Sequence, residues 1–121
     1  MIVDDDDAVL ASLEFLLQAA GYDVIAYASP ADFFLGDAAR STAEQPTCLV
    51  VDQQMPEMTG LELIASLYRA GRMIPALLIS SAPTPAIHAQ AADLGVAFCP
   101  KPLNEEDLIR FVAAHTRPAK T

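Results

Sequence analysis

Short unbroken apolar runs alternate with longer stretches of helical spacing five times along the chain. Ile2-Val3 predicts the end of a first strand, halted by the acidic run Asp4 to Asp7. Val9, Leu13, Leu16, Leu17 and Ala20 then fall at i, i+4, i+7, i+8 and i+11, the spacing of one apolar helix face, with Gly21 as a C-terminal stop. Val24 to Tyr27 predicts a second strand. Ser29-Pro30-Ala31-Asp32 has the form of a capping box with proline at the first helical position, so a helix is expected to about Ala39. Polar Arg40 to Pro46 predicts a loop, and Cys48 to Val51 is continuously apolar, as in a strand covered on both faces, ending on Asp52. A loop closes on Gly60, and Leu61, Ile64, Leu67 and Tyr68 carry helical spacing as far as Gly71. Ala76 to Ile79 predicts a fourth strand ending on Ser80. Pro83-Thr84-Pro85 leads into an alanine-rich helix from about Ala86 to Leu94, stopped by Gly95. Val96 to Cys99 predicts the fifth strand, ending near Lys101, and Asn104 with Asp107 caps a last helix carrying Leu108, Ile109 and Val112.

Strands alternating with helices predict an α/β fold, a parallel sheet with right-handed crossovers and helices on both faces. In such open sheets functional groups collect at the carboxyl ends of the strands. The polar groups falling there are Asp4, Asp5, Asp52, Ser80 and Lys101. Composition fits one compact domain: 121 residues, 53% of them hydrophobic. A net charge of −9 disfavours direct, sequence-independent contact with nucleic acid, so any DNA target must be met by another domain. Cys48 and Cys99 lack zinc-ligand spacing and are expected to be reduced, buried small hydrophobes in a cytoplasmic protein. No apolar run approaches the roughly 18 residues that span a bilayer, and no signal peptide opens the chain. The abrupt start on an apolar stretch creates the expectation that residues precede Met1.

Clustering three carboxylates costs about 4 kcal/mol for each pair at 4 Å with an effective dielectric near 20. A cation or protonation must relieve it. Lys101 supplies one positive charge, and Mg²⁺ suits the remainder, because it binds few carboxylates and retains waters that a phosphate oxygen can replace. Asp6 and Asp7 are explained by helix capping, which accounts less well for Asp4 and Asp5. Asp52 is suited to forming an acyl phosphate, a transfer that needs charge neutralisation and alignment more than acid–base chemistry. Phe98 shares a strand face with Val96, compatible with core packing, and His88 and His115 stand apart from any cluster.

Asp4-Asp5 after Ile-Val, the segment Val51-Asp52-Gln53-Gln54-Met55-Pro56-Glu57-Met58-Thr59-Gly60, and Lys101-Pro102 together resemble the receiver domain of two-component response regulators. The resemblance runs from Ile2 to about Ala114, and Met55 to Gly60 looks most like receivers of the nitrogen-fixation regulator type. It implies a flavodoxin-like fold of strand order 2-1-3-4-5 over residues 1–115, with 116–121 a tail or the start of a linker to an output domain. Asp52 would accept phosphate from a histidine kinase or phosphotransfer protein. Asp5 would be the principal Mg²⁺ ligand, with Asp4, Asp52 and the backbone carbonyl of Gln54. Ser80 would be the switch hydroxyl, Phe98 the switch aromatic and Lys101 the phosphate-pairing lysine, and the Lys101-Pro102 bond is a cis-peptide candidate. The added charge would reshape the surface of the fourth helix, fifth strand and fifth helix, favouring a homodimer or partner release and, through an output domain, transcription regulation.

Three features depart from the resemblance. Ser81 stands where the family favours alanine or glycine, Ala82-Pro83-Thr84-Pro85 is stiff for a moving loop, and Gln54 occupies a position that influences phosphate lifetime. A receiver that signals by binding alone, without phosphorylation, is the alternative reading. A phosphatase with an aspartyl nucleophile ranks last, because its customary second Asp is here Gln54.

Overall fold

A computed structural model of the chain describes residues 1–38, 48–81, 84–101 and 103–115. The loop expected over residues 40–46, Pro102 with its cis-peptide candidate, and the tail 116–121 lie outside these residues. Ten elements alternate: β1 Ile2–Val3, α1 Asp7–Ala19, β2 Ala26–Tyr27, α2 Pro30–Ala38, β3 Leu49–Asp52, α3 Gly60–Arg69, β4 Ala76–Ser80, α4 Pro85–Leu94, β5 Ala97–Pro100 and α5 Glu105–His115. All strand pairs are parallel, in the order β2-β1-β3-β4-β5. This is the doubly wound α/β sheet that the sequence predicts.

Period-two alternation splits the core in two. Val3, Val51 and Leu78 pack into one cluster with Phe33, Leu63, Ile64 and Ala91 of α2, α3 and α4. Ile2, Val50, Leu77 and Ile79 face the other way, with Leu13 and Leu17 of α1 and Leu108 and Val112 of α5. Strands β3 and β4 are buried along their whole length, so their sequences read as unbroken apolar runs. Cys48 and Cys99 are free and buried in the second cluster, and burial pushes both thiols up from their ordinary pKa.

The helix ends follow local chemistry. Asp6 caps α1 by accepting from the Ala8 and Val9 amides, and Gly21 takes a left-handed φ of 97° just beyond it. Ser29 Oγ accepts from Asp32 N at 3.1 Å at the head of α2. Thr59 and Glu62 form a reciprocal capping box on α3. Thr84 caps α4, and Asn104 Oδ1 accepts from the Glu106 and Asp107 amides at the start of α5.

Two strands differ from expectation. β2 is confined to Ala26–Tyr27, since it lies at the sheet edge and only a short stretch pairs with β1. β5 runs Ala97–Pro100, one residue later than the apolar pattern suggests, because its register follows β4 as far as Ser80↔Pro100. The Lys101 amide continues that ladder with a 2.8 Å bond to the Ser80 carbonyl.

Candidate functional site

The carboxyl ends of β1, β3, β4 and β5 bring Asp4, Asp5, Asp52, Ser80 and Lys101 to one edge of the sheet. Asp52 is the last residue of β3 and pairs in register with Ile79, beside Ser80 at the end of β4. Its carboxyl is buried, 3% exposed, and Oδ1 meets the Lys101 ammonium at 3.1 Å as an ion pair. Burial raises the Asp52 pKa, and so does the charge of Asp5. Lys101 and the Gln54 amide, which donates to the carboxylate, oppose the rise. Burial alone would lower the pKa of Lys101, but the Asp52 contact outweighs it, helped by Asp4 and Asp6, and the ammonium is held above its ordinary value.

Asp4 and Asp5 differ sharply. Asp4 is 1% exposed, its Oδ1 accepts from the Asp6 amide at 2.9 Å, and its Oδ2 is buried without a hydrogen-bond partner among the described residues. Burial first, then the neighbouring Asp52 and Asp5, raise its pKa from 3.8 to about 6, against the opposing pull of the Asp6 amide and Lys101. Asp5 is exposed. Asp4, Asp5 and Asp52 each offer an oxygen, and these atoms lie within 4.8 Å of one another. A buried carboxylate oxygen lacking a donor, in an all-oxygen set this tight, is suited to a hard divalent cation.

The loop after Asp52 is fixed from beneath. The Gln53 amide donates to the Ile79 carbonyl at 2.8 Å, extending the ladder by one residue. The Gln53 side chain is buried, and its Oε1 accepts from the Leu61 amide at 2.9 Å in the first turn of α3. A side chain on Gly60 would place its Cβ 2.6 Å from the Asp52 carbonyl oxygen and 2.7 Å from Leu78 Cδ1. Glycine therefore lets α3 start directly against the backbone of Asp52.

The family resemblance involves Gln54 through its backbone carbonyl and its place two positions beyond Asp52. The structure adds its side chain: Nε2 donates to Ser80 Oγ at 2.8 Å, and Oε1 accepts from the Ser81 amide at 3.3 Å. Phe98 packs against the α2–α3–α4 core cluster, as its shared face with Val96 suggested. His88, exposed on α4, is not isolated, since its ring lies 4.2 Å from that of Phe98, centroid to centroid. No signal in the spacing reports either contact, because each joins residues distant in sequence.

The pattern of the response regulator receiver domain family matches residues 1–113. The chain belongs to the response regulator receiver family. The receiver is 38% identical over 114 residues to the response regulator protein TodT of Pseudomonas putida, covering 93% of this chain and 48% of that protein. It is 34% identical over 114 residues to the transcriptional regulatory protein FixJ of Azorhizobium caulinodans, covering 93% of this chain and 52% of that one. FixJ is of the nitrogen-fixation type to which Met55 to Gly60 pointed. The chain thus spans about half the length of these curated relatives. Among solved structures it resembles FixJ-N, with TM-score 0.80 and 28% identity over 93% of this chain and 87% of that one. A receiver domain from Clostridium thermocellum shares the fold, with TM-score 0.84 at 16% identity over 94% of this chain and 90% of that one. Among the described residues, no helix is long and apolar enough to cross a membrane.

Proposed function

We propose that this receiver accepts a phosphoryl group on Asp52 from a histidine kinase or phosphotransfer protein and transmits the added charge to its α4–β5–α5 surface. The observation that carries the reading is the buried Asp52 carboxyl in its ion pair with Lys101, set within the Asp4–Asp5–Asp52 cluster. Asp5, Asp4, Asp52 and the Gln54 carbonyl would hold Mg²⁺, which when bound supplies charge neutralisation and alignment for the incoming phosphate. An Asp52 carboxylate oxygen forms the new P–O bond as the P–N bond of the donor phosphohistidine breaks, and the departing imidazole nitrogen takes up a proton. Lys101 and the Ser80 hydroxyl pair with phosphate oxygens in place of water. The receiver acts as a signalling module, with no substrate beyond its own phosphotransfer and dephosphorylation.

The domain would occupy residues 1–115, with 116–121 a tail or the start of a linker to an output domain, through which the receiver would control transcription in the cytoplasm, while this acidic unit itself makes no contact with DNA or membrane. Incubation with acetyl phosphate and Mg²⁺ is expected to add one phosphoryl mass to the intact protein, and chelation of the metal to prevent it. A wild-type mass unchanged under both conditions would overturn this reading and leave a receiver that signals by binding alone. Phosphorylation is also expected to shift the protein towards a homodimer, through rotation of Phe98 away from His88. Phe98→Ala should lose that shift in size-exclusion chromatography, and an unchanged shift would remove Phe98 from the switch.

A further inference from the structure

Gln54 touches both halves of the site. Its backbone amide donates to the Asp52 carboxylate, while its side chain crosses to the end of β4. There a single carboxamide engages two consecutive residues, with Nε2 on Ser80 Oγ at 2.8 Å and Oε1 on the Ser81 amide at 3.3 Å. Ser80 is fully buried and Ser81 exposed, so the bridge spans the rim of the site.

We propose that Gln54 is a positioning residue that latches the end of β4 in its resting place, and that phosphorylation of Asp52 proceeds with release of the latch. This rests on Asp52 being the phosphoacceptor. A phosphoryl group there presents anionic oxygens at the carboxyl edge, where the donors at and just beyond the end of β4 are the Ser80 hydroxyl and the Ser81 N–H. Both residues are held by Gln54 in the resting protein. The Ser81 N–H cannot serve the carboxamide and an anion equally well, and an ionised acceptor is the stronger partner. Gln54 is an exposed residue, so water can replace the bonds of its carboxamide once it swings away. The latch therefore sets how readily β4 reaches the phosphoryl group, and the side chain at position 54 tunes the resting equilibrium of this receiver. Ser81 takes part through its backbone, which makes its side chain incidental to the bridge.

Gln54→Met keeps the length of the side chain and removes both hydrogen bonds, and Gln54→Ala removes the bridge by truncation. In the unphosphorylated protein, hydrogen exchange followed by NMR is expected to show the Ser81 amide exchanging about three- to tenfold faster in either variant, the factor that about one net hydrogen bond supplies. With acetyl phosphate and Mg²⁺, both variants should be phosphorylated faster by a similar factor. Ser81 exchange equal to that of the wild type would overturn the latch. Faster exchange with an unchanged or slower phosphorylation rate would overturn its competition with the phosphoryl group. A wild type that takes up no phosphate would instead sink the phosphoacceptor reading, while the exchange comparison would still decide whether the bridge exists.

Discussion

Gly60→Ala is expected to destabilise the domain by about 2–3 kcal/mol, the cost typical of forcing a methyl group into a filled interior. The clash falls on backbone: the added Cβ would lie 2.6 Å from the Asp52 carbonyl oxygen and 3.1 Å from its carbon, with Leu78 Cδ1 at 2.7 Å. Leu78 is fully buried and cannot swing out, and the Asp52 carbonyl belongs to a strand paired with β4. Relief therefore requires α3 to slide away from the sheet or β3 to shift. Sliding α3 breaks the bonds from Gly60 N to the Gln53 carbonyl and from Leu61 N to Gln53 Oε1. Either route moves the loop that carries Gln54. Chemical denaturation should show the lowered midpoint, and phosphorylation from acetyl phosphate should slow in the folded variant. Undiminished stability would mean that the start of α3 is not set by contact with Asp52.

Asp4→Asn is expected to act in opposite directions on the metal-free and metal-bound protein. The rise of the Asp4 pKa from 3.8 to about 6 corresponds to roughly 3 kcal/mol set against the ionised form at neutral pH. Because the folded value lies above the ordinary one, the stabilising contribution of protonated Asp4 is fully present below pH 3.8 and is lost as pH rises through about 6. Metal-free wild-type protein should therefore lose stability between pH 5 and pH 7.5, by about 1.4 kcal/mol from this group. Asparagine keeps an oxygen for the Asp6 amide and removes the buried charge, so the variant should melt several degrees higher at pH 7.5 and show a flatter pH profile. Mg²⁺ needs the ionised carboxylates, so its stabilising effect on the wild type should grow as pH rises through 6 and shrink sharply in the variant. Thermal melts at the two pH values, with and without Mg²⁺, check both halves. Identical pH profiles for the two proteins would show that Asp4 does not carry the buried charge.

The elements that place the site were legible because strand ends are written locally. A buried parallel strand is a continuous apolar run, so Cys48 to Val51 and Ala76 to Ile79 pointed to Asp52 and Ser80 without tertiary information. The caps at Asp6 and Asn104 are equally local. Edge strands were less legible, since β2 and β5 pair on one side and their lengths depend on register with a neighbour. The contrast between buried Asp4 and exposed Asp5 was also hidden, because adjacent acids in a short run differ only once the turn into α1 is formed. The reach of Gln54 to Ser80, the seat of Gly60 against Asp52 and the tilted ring contact of His88 with Phe98 each join separate elements, which no periodicity encodes.

The central claim is that Asp52, among the three clustered acids, takes the phosphoryl group. An acyl phosphate is reduced by borohydride to an alcohol, which converts the acceptor aspartate to homoserine. After treatment with acetyl phosphate, Mg²⁺ and borohydride, peptide sequencing by mass spectrometry should find homoserine at position 52 and unmodified Asp4 and Asp5. Homoserine at position 4 or 5, or its absence from position 52 in protein that has gained the phosphoryl mass, would contradict the account.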